Sequence, residues 1–139
     1  MVLVVATGVF EVLHPGHLLY LSESRRLGDR LVVIIASDRT AGDRKGVVHI
    51  PEGQRLEVVK SLKSVDDAVI GDPDDMLKPI RELKPDIVTL GPDQSFTIEE
   101  VEDMLRKAGV EARVVRIQSK WDGGLNSSKK IKRLYFKGE

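Results

Sequence analysis

Two histidines, His14 and His17, stand three positions apart in the run Thr7-Gly8-Val9-Phe10-Glu11-Val12-Leu13-His14-Pro15-Gly16-His17. Pro15 suits the first position of a helix, where a missing N–H costs nothing, so both imidazoles fall at a helix start. The unpaired N–H groups and the dipole of that end favour a phosphate. Two imidazoles beside it could donate hydrogen bonds to phosphoryl oxygens and stabilise the charge of a pentavalent transition state. Gly8 permits a sharp turn after the apolar run that precedes it, and Gly16 leaves room for a ligand to approach the backbone. The alternative is a pair of surface or zinc-sharing histidines, but the neighbouring sequence offers no evident carboxylate ligand set.

Three further polar clusters carry chemistry. The segment from Ser37 to Gly46 holds Asp38, Arg44 and Lys45, and a basic side chain here could swing onto triphosphate oxygens; a solvated loop is the alternative. In Leu90-Gly91-Pro92-Asp93-Gln94, Gly91 allows close backbone approach, and Asp93 can accept two hydroxyl donors at once, as a ribose requires. A turn with only structural duty is the other reading. Near the end, Ser127 and Ser128 precede Lys129 and Lys130 at a helix start, where cations are disfavoured unless an anion is near. Trp121, the only tryptophan, could stack on a nucleobase, or could close a hydrophobic edge or a subunit contact.

The elements that must position these clusters follow from the apolar pattern. Val2 to Ala6, Leu31 to Ala36, Ala68 to Ile70, Ile87 to Leu90 and Ala112 to Ile117 read as strands buried on both faces. Between them, helices are expected from Pro15 to Leu27, with Leu18, Leu21 and Ser22 on one side; from Pro51, with Leu56, Val59 and Leu62; from Asp72-Pro73, carrying Met76, Leu77, Ile80 and Leu83; and from a Thr97 cap to about Ala108. A terminal basic helix starts at about Ser127, and Thr40 to Val48 reads as a mobile loop. Strand and helix in alternation give an α/β fold: a Rossmann-like open parallel five-stranded sheet with helices on both faces. In such a sheet ligands bind beyond the carboxyl ends of the strands, where all four clusters fall.

Composition excludes several other classes. A chain of 139 residues fits a single domain over 1–139. Aromatics are only 4%, so Val, Leu and Ile must build the core. The formal net charge is zero, which gives no global attraction for nucleic acid or an anionic membrane. Absence of cysteine removes disulfides, thiolate nucleophiles and Cys-based zinc sites. The apolar start lacks a basic leader region, and no stretch approaches a membrane span, so a cytoplasmic location is expected. The GxxxxGK[ST], GxGxxG and GxSxG motifs are all missing.

The segment Gly8-Val9-Phe10-Glu11-Val12-Leu13-His14-Pro15-Gly16-His17 resembles the GxFDxxHxGH signature of the cytidylyltransferase-like nucleotidyltransferases, whose HxGH part is similar to the HIGH motif of class I aminoacyl-tRNA synthetases. Glu11 stands where an Asp is usual. The resemblance implies a HIGH-type nucleotidyltransferase fold in which His14 and His17 contact nucleotide phosphates and Thr7, Gly8, Val9 and Phe10, with Pro15 and Gly16, line the nucleotide. It implies that Lys45 (with Arg44 as a second candidate) approaches the phosphates. The run Pro51-Glu52-Gly53-Gln54-Arg55 resembles the family's PExxR segment, so Arg55 would hold the phosphate region or an interface, or form a surface ion pair. Gly91, Asp93 and Gln94 sit in a stretch similar to the LGPDQ segment of archaeal FAD synthases, implying contact with the sugar. Ser127 and Ser128 resemble the family's ISSTKI-like motif, with Asn126 in place of a common Ser and Lys130 in place of an apolar residue.

By the same resemblance the reaction is transfer of AMP from ATP to FMN, giving FAD and pyrophosphate. Glycerol-3-phosphate cytidylyltransferases and sugar-phosphate nucleotidyltransferases using CTP or ATP share the signature and remain alternatives, as does a nucleotide-binding regulatory module without turnover. A divalent metal, Mg2+, would be bound mainly through substrate phosphates, and a homodimer without nucleic acid or membrane partners is expected.

Overall fold

The computed structural model describes residues 1–135. Five strands, β1 (Leu3–Gly8), β2 (Arg30–Ile35), β3 (Asp67–Ile70), β4 (Ile87–Leu90) and β5 (Arg113–Arg116), form one sheet in the order β3-β2-β1-β4-β5, parallel throughout. The helices are α1 (Pro15–Arg25), α2 (Asp38–Lys45), α3 (Glu52–Lys60), α4 (Lys78–Leu83), α5 (Ile98–Lys107) and α6 (Ser128–Tyr135). The chain runs outward from β1 to β3 on one side, then returns to place β4 and β5 on the other. The order therefore reverses between β1 and β4, and their carboxyl ends open a crevice at that point.

β1 is central, and Val4, Val5 and Ala6 are all fully buried. The period of two sends Val4 and Ala6 to one face, where they pack with Leu31, Val33 and Ile35 against Tyr20 and Leu21 of α1 and Val59 of α3. Val5 faces the other way and joins Ile34, Val88 and Leu90 under Ile80, Val101 and Leu105 of α4 and α5. Crossovers on both faces leave these strands no wet side, which is why they read as unbroken apolar runs.

Three expectations are corrected. Residues 40–45 are helical and not a mobile loop: Ser37 accepts a hydrogen bond from the Thr40 N–H, and α2 follows with Asp38 in its first turn and Arg44 and Lys45 in its last, leaving only 46–48 outside a helix. Only Ala41 of this helix is buried, so it has almost no apolar stripe to read. The helix expected from Asp72 begins at Lys78, because the Asp72 carboxylate captures the N–H groups of Asp74 and Asp75 in a local turn. In α1 the inward face is Tyr20, Leu21 and Ser24, while Leu18 is 46% exposed. That face is half polar: the Ser24 hydroxyl lies 2.9 Å from Thr89 Oγ1, and the Tyr20 hydroxyl donates to the Thr89 carbonyl at 3.0 Å.

Candidate active site

The β1–α1 loop folds around its own side chains. Phe10 takes a left-handed backbone conformation (φ 53°) and is 4% exposed, its ring in the core and 5.5 Å from the ring of His17. Gly8 is needed for space, not for its torsions, since a Cβ there would lie 2.7 Å from the Phe10 ring. Phe10 thus packs its ring into the core beside His17.

His14 is the N-cap of α1. Its Nδ1 accepts from the Gly16 N–H at 3.0 Å, while His17 Nδ1 accepts from the His14 N–H at 3.2 Å. A ring nitrogen that accepts carries no proton, so both imidazoles are assigned, from this bonding, the tautomer that keeps its proton on Nε2. The rings lie 4.0 Å apart between centroids. Gly16 makes this possible: a Cβ would stand 2.6 Å from the His14 ring, so the space it leaves is filled by that ring. Burial, then the neighbouring charges of His14 and Lys45, lower the His17 pKa to about 4; burial also lowers that of His14. At neutral pH the pair therefore offers two neutral N–H donors beside a helix start, and no fixed imidazolium. The positive charge is brought by Lys45, exposed in the last turn of α2 and near enough to oppose protonation of His17.

Across the crevice, Gln94 ties the two central strand ends together. Its Oε1 accepts from the Gly91 N–H at 3.0 Å and its Nε2 donates to the Thr7 carbonyl at 3.0 Å. Arg116 clamps the same turn, donating to the carbonyls of Gly91 (2.8 Å), Gln94 (3.0 Å) and Phe96. Asp93 projects from it with its side chain 83% exposed and pairs with Lys120 at 3.0 Å. That pair draws in the next loop, where a Cβ on Gly123 would fall 1.9 Å from Trp121; the indole lies over a residue that cannot carry a side chain. Trp121 is 37% exposed, and its carbonyl accepts from Asn126 at 3.4 Å.

At the start of α6, Ser127 Oγ accepts from the Lys130 N–H at 3.1 Å, and Ser128 Oγ donates to the Val12 carbonyl at 2.8 Å. The Ser128 hydroxyl proton is thereby committed to the signature loop, leaving its backbone N–H, in the unpaired first turn, as the donor toward a ligand. Lys130 Nζ donates to Asn126 Oδ1 at 2.6 Å.

Arg55 forms neither a surface ion pair nor an interface contact. Its side chain is fully buried and donates to the carbonyls of Ile50 (2.9 Å), Val9 (2.8 Å) and Ala36 (2.8 Å), and to Asp38 (2.8 Å). Arg44 is turned to Met76. Glu11 is buried, bonded to the N–H groups of His49 and Ile50 and paired with Lys132.

A cytidylyltransferase-like family model matches residues 5–134 of the chain. This chain belongs to the cytidylyltransferase-like family. Within the family it is similar to the FAD synthase of Picrophilus torridus, 52% identical over 130 residues that cover 94% of this chain and 93% of that one. It is also similar to the FAD synthase of Archaeoglobus profundus, 50% identical over 94% of this chain and 84% of the other. Among solved structures, a lipopolysaccharide core biosynthesis protein from Thermoplasma volcanium GSS1 superposes with a TM-score of 0.84 at 47% identity, covering 88% of this chain and 99% of its own.

His14 and His17 thus share the α1 start, Lys45 is near enough to act on His17, and Ser128 is bonded to the loop that precedes them. Sequence reasoning passed over Tyr20, Arg116 and Lys132. None sits in a motif, and for Tyr20 the only signal was a polar group on the buried face of its helix.

Proposed function

We propose that this nucleotidyltransferase joins the AMP of ATP to FMN, forming FAD and pyrophosphate. The observation that carries the reading is half-identity, over nearly the full length of both chains, to proteins named FAD synthase. The phosphate oxygen of FMN attacks the α-phosphorus of ATP, and the bond to the departing pyrophosphate breaks. A phosphate nucleophile is already ionised, so it needs no strong base, and the site's task is positioning and charge stabilisation. His14 and His17 donate their Nε2 protons as hydrogen bonds to phosphoryl oxygens, Lys45 and the α6 start with Ser127 and Ser128 engage the triphosphate, and Thr7, Gly8 and Val9 flank the nucleotide. Asp93 takes the ribose hydroxyls once Lys120 releases it, and Trp121 offers its face to a planar ring.

A divalent metal, magnesium, would be held mainly through the substrate's phosphates, where it would neutralise charge on the triphosphate and the leaving pyrophosphate. No described helix is long and apolar enough to cross a membrane. A cytoplasmic, single-domain enzyme acting as a homodimer completes the reading, and light scattering tests the last part. A second reading is a sugar-phosphate acceptor, with the name of one structural neighbour, a lipopolysaccharide core biosynthesis protein, as its support.

The test is pyrophosphate release with magnesium, crossing ATP and CTP against FMN, glycerol 3-phosphate and a sugar 1-phosphate. Release with ATP only when FMN is present, with FAD formed in step, is the expected result. Release with another pair overturns the acceptor and keeps the chemistry. Silence across the grid overturns both, leaving a binding module.

A further inference from the structure

Glu11 lies inside the signature, yet the proposed reaction gives it nothing to do. Its side chain is 4% exposed. Oε2 accepts from the backbone N–H groups of His49 and Ile50, the latter at 3.0 Å, and Oε1 pairs with the ammonium of Lys132 on α6. Burial alone raises such a carboxyl's pKa, but the Lys132 hydrogen bond and the two backbone donors outweigh it and hold the group below the usual range. The result is one ionised, buried carboxylate that ties its own segment, the loop leading to His14 and the α1 start, to two others: the stretch after α2 that follows Lys45, and the helix that carries Ser128.

Ile50 is also held through its carbonyl by Arg55, but α6 has little buried apolar surface to dock it. α6 buries no residue, so apolar burial contributes little to docking it. Lys132 anchors it with a side chain 16% exposed, and the Ser128 hydroxyl adds a bond to the Val12 carbonyl of the signature loop. Residues 45–47 are likewise exposed. An ion pair is normally a weak source of net stability, because desolvating the charges consumes most of the attraction. What it fixes is geometry, and here it fixes how far the imidazoles stand from the groups that α2 and α6 present.

We propose that Glu11 and Lys132 are positioning residues for nucleotidyl transfer, a buried clip that sets the two imidazoles, Lys45 and the start of α6 at one spacing around the phosphates. The proposal rests on the site assignment above and extends it to two residues that touch no substrate. A Glu serves where the signature more often has Asp because the carboxylate must span from the loop to two backbone amides and a helix at once.

The experiment compares wild type, Glu11→Gln, Lys132→Met and the double variant. Each single change should lower kcat by about tenfold to a hundredfold, the loss expected when reacting groups shift by about 1 Å. KM for ATP and for the acceptor should move by less than about threefold, as for an interaction expressed in the transition state. The double variant should be no slower than the slower single one, since both changes open the same clip. Glu11→Asp, which keeps the charge, should recover part of the rate that Glu11→Gln loses. Independent penalties that multiply, or an unchanged kcat in Lys132→Met, would overturn the proposal. A structural arm stands apart from the acceptor: Lys132→Met should speed amide hydrogen exchange in α6 and at Ile50 while the central strands stay protected. If wild type makes no FAD, the functional reading fails alone, and unchanged exchange in Lys132→Met still sinks the clip.

Discussion

Acid should weaken this fold in part through the His17 ring. The His17 pKa falls from 6.5 to about 4 in the folded chain, chiefly because burial penalises the imidazolium and then because His14 and Lys45 lie near. In the unfolded chain the ring regains its ordinary value. Between pH 6.5 and pH 4 the unfolded state therefore binds the proton that the folded state refuses, and stability falls as pH falls. The contribution is intact above pH 6.5 and levels off below about pH 4. At about 1.4 kcal/mol per pKa unit, the full loss is on the order of 3 kcal/mol. His17→Gln is the control, because its amide oxygen can still accept from the His14 N–H but it does not titrate. Urea unfolding of both proteins at pH 4, 5, 6 and 7, without nucleotide, gives the stability difference at each pH. That difference should shift against wild type by about 3 kcal/mol from pH 7 to pH 4. A bound triphosphate stabilises the imidazolium and opposes the shift, so nucleotide should restore acid tolerance to wild type. A difference that stays constant across the window would refute the claim that the ring is held neutral, and with it the view that it acts as a neutral donor.

Two further outcomes follow from packing. Arg55→Met removes four hydrogen bonds from a fully buried side chain and strands three carbonyls beneath the site; a loss of about 3–5 kcal/mol is expected in denaturant titration, and Arg55→Lys should recover only part of it because one ammonium cannot replace the guanidinium fork. Trp121, as the sole tryptophan, makes fluorescence a specific reporter: FMN or ATP stacked on it should quench the emission, and Trp121→Ala should weaken the quenching ligand by roughly 1–3 kcal/mol, whereas emission indifferent to both ligands would remove it from the site.

Much of this architecture was legible because its causes are local. β4 spans Ile87–Leu90 as expected, since a strand buried on both faces must be apolar at every position. Thr97 caps α5 and Glu100 completes the capping box, a signal contained within four residues. α2 was illegible for the opposite reason: it is held by a Ser37 cap and one buried alanine, and a polar helix looks like a loop. In α1 the apolar stripe misled because the inward face is completed by hydrogen bonds to Thr89, which arrives on another strand.

The sequence by itself determined which residues carry chemistry and that alternating strands would gather them at one edge of a parallel sheet, because residue types and periodicity are properties of neighbours along the chain. Only the tertiary structure decided which of those residues face the site and which brace it. Phe10, Gln94 and Arg55 became packing and ties, Glu11 met Lys132 across nearly the whole chain, and burial pushed His17 toward its neutral form. Each of those outcomes depends on burial and on distant hydrogen-bond partners, and these exist only once the crossovers have brought β1, β4 and α6 together.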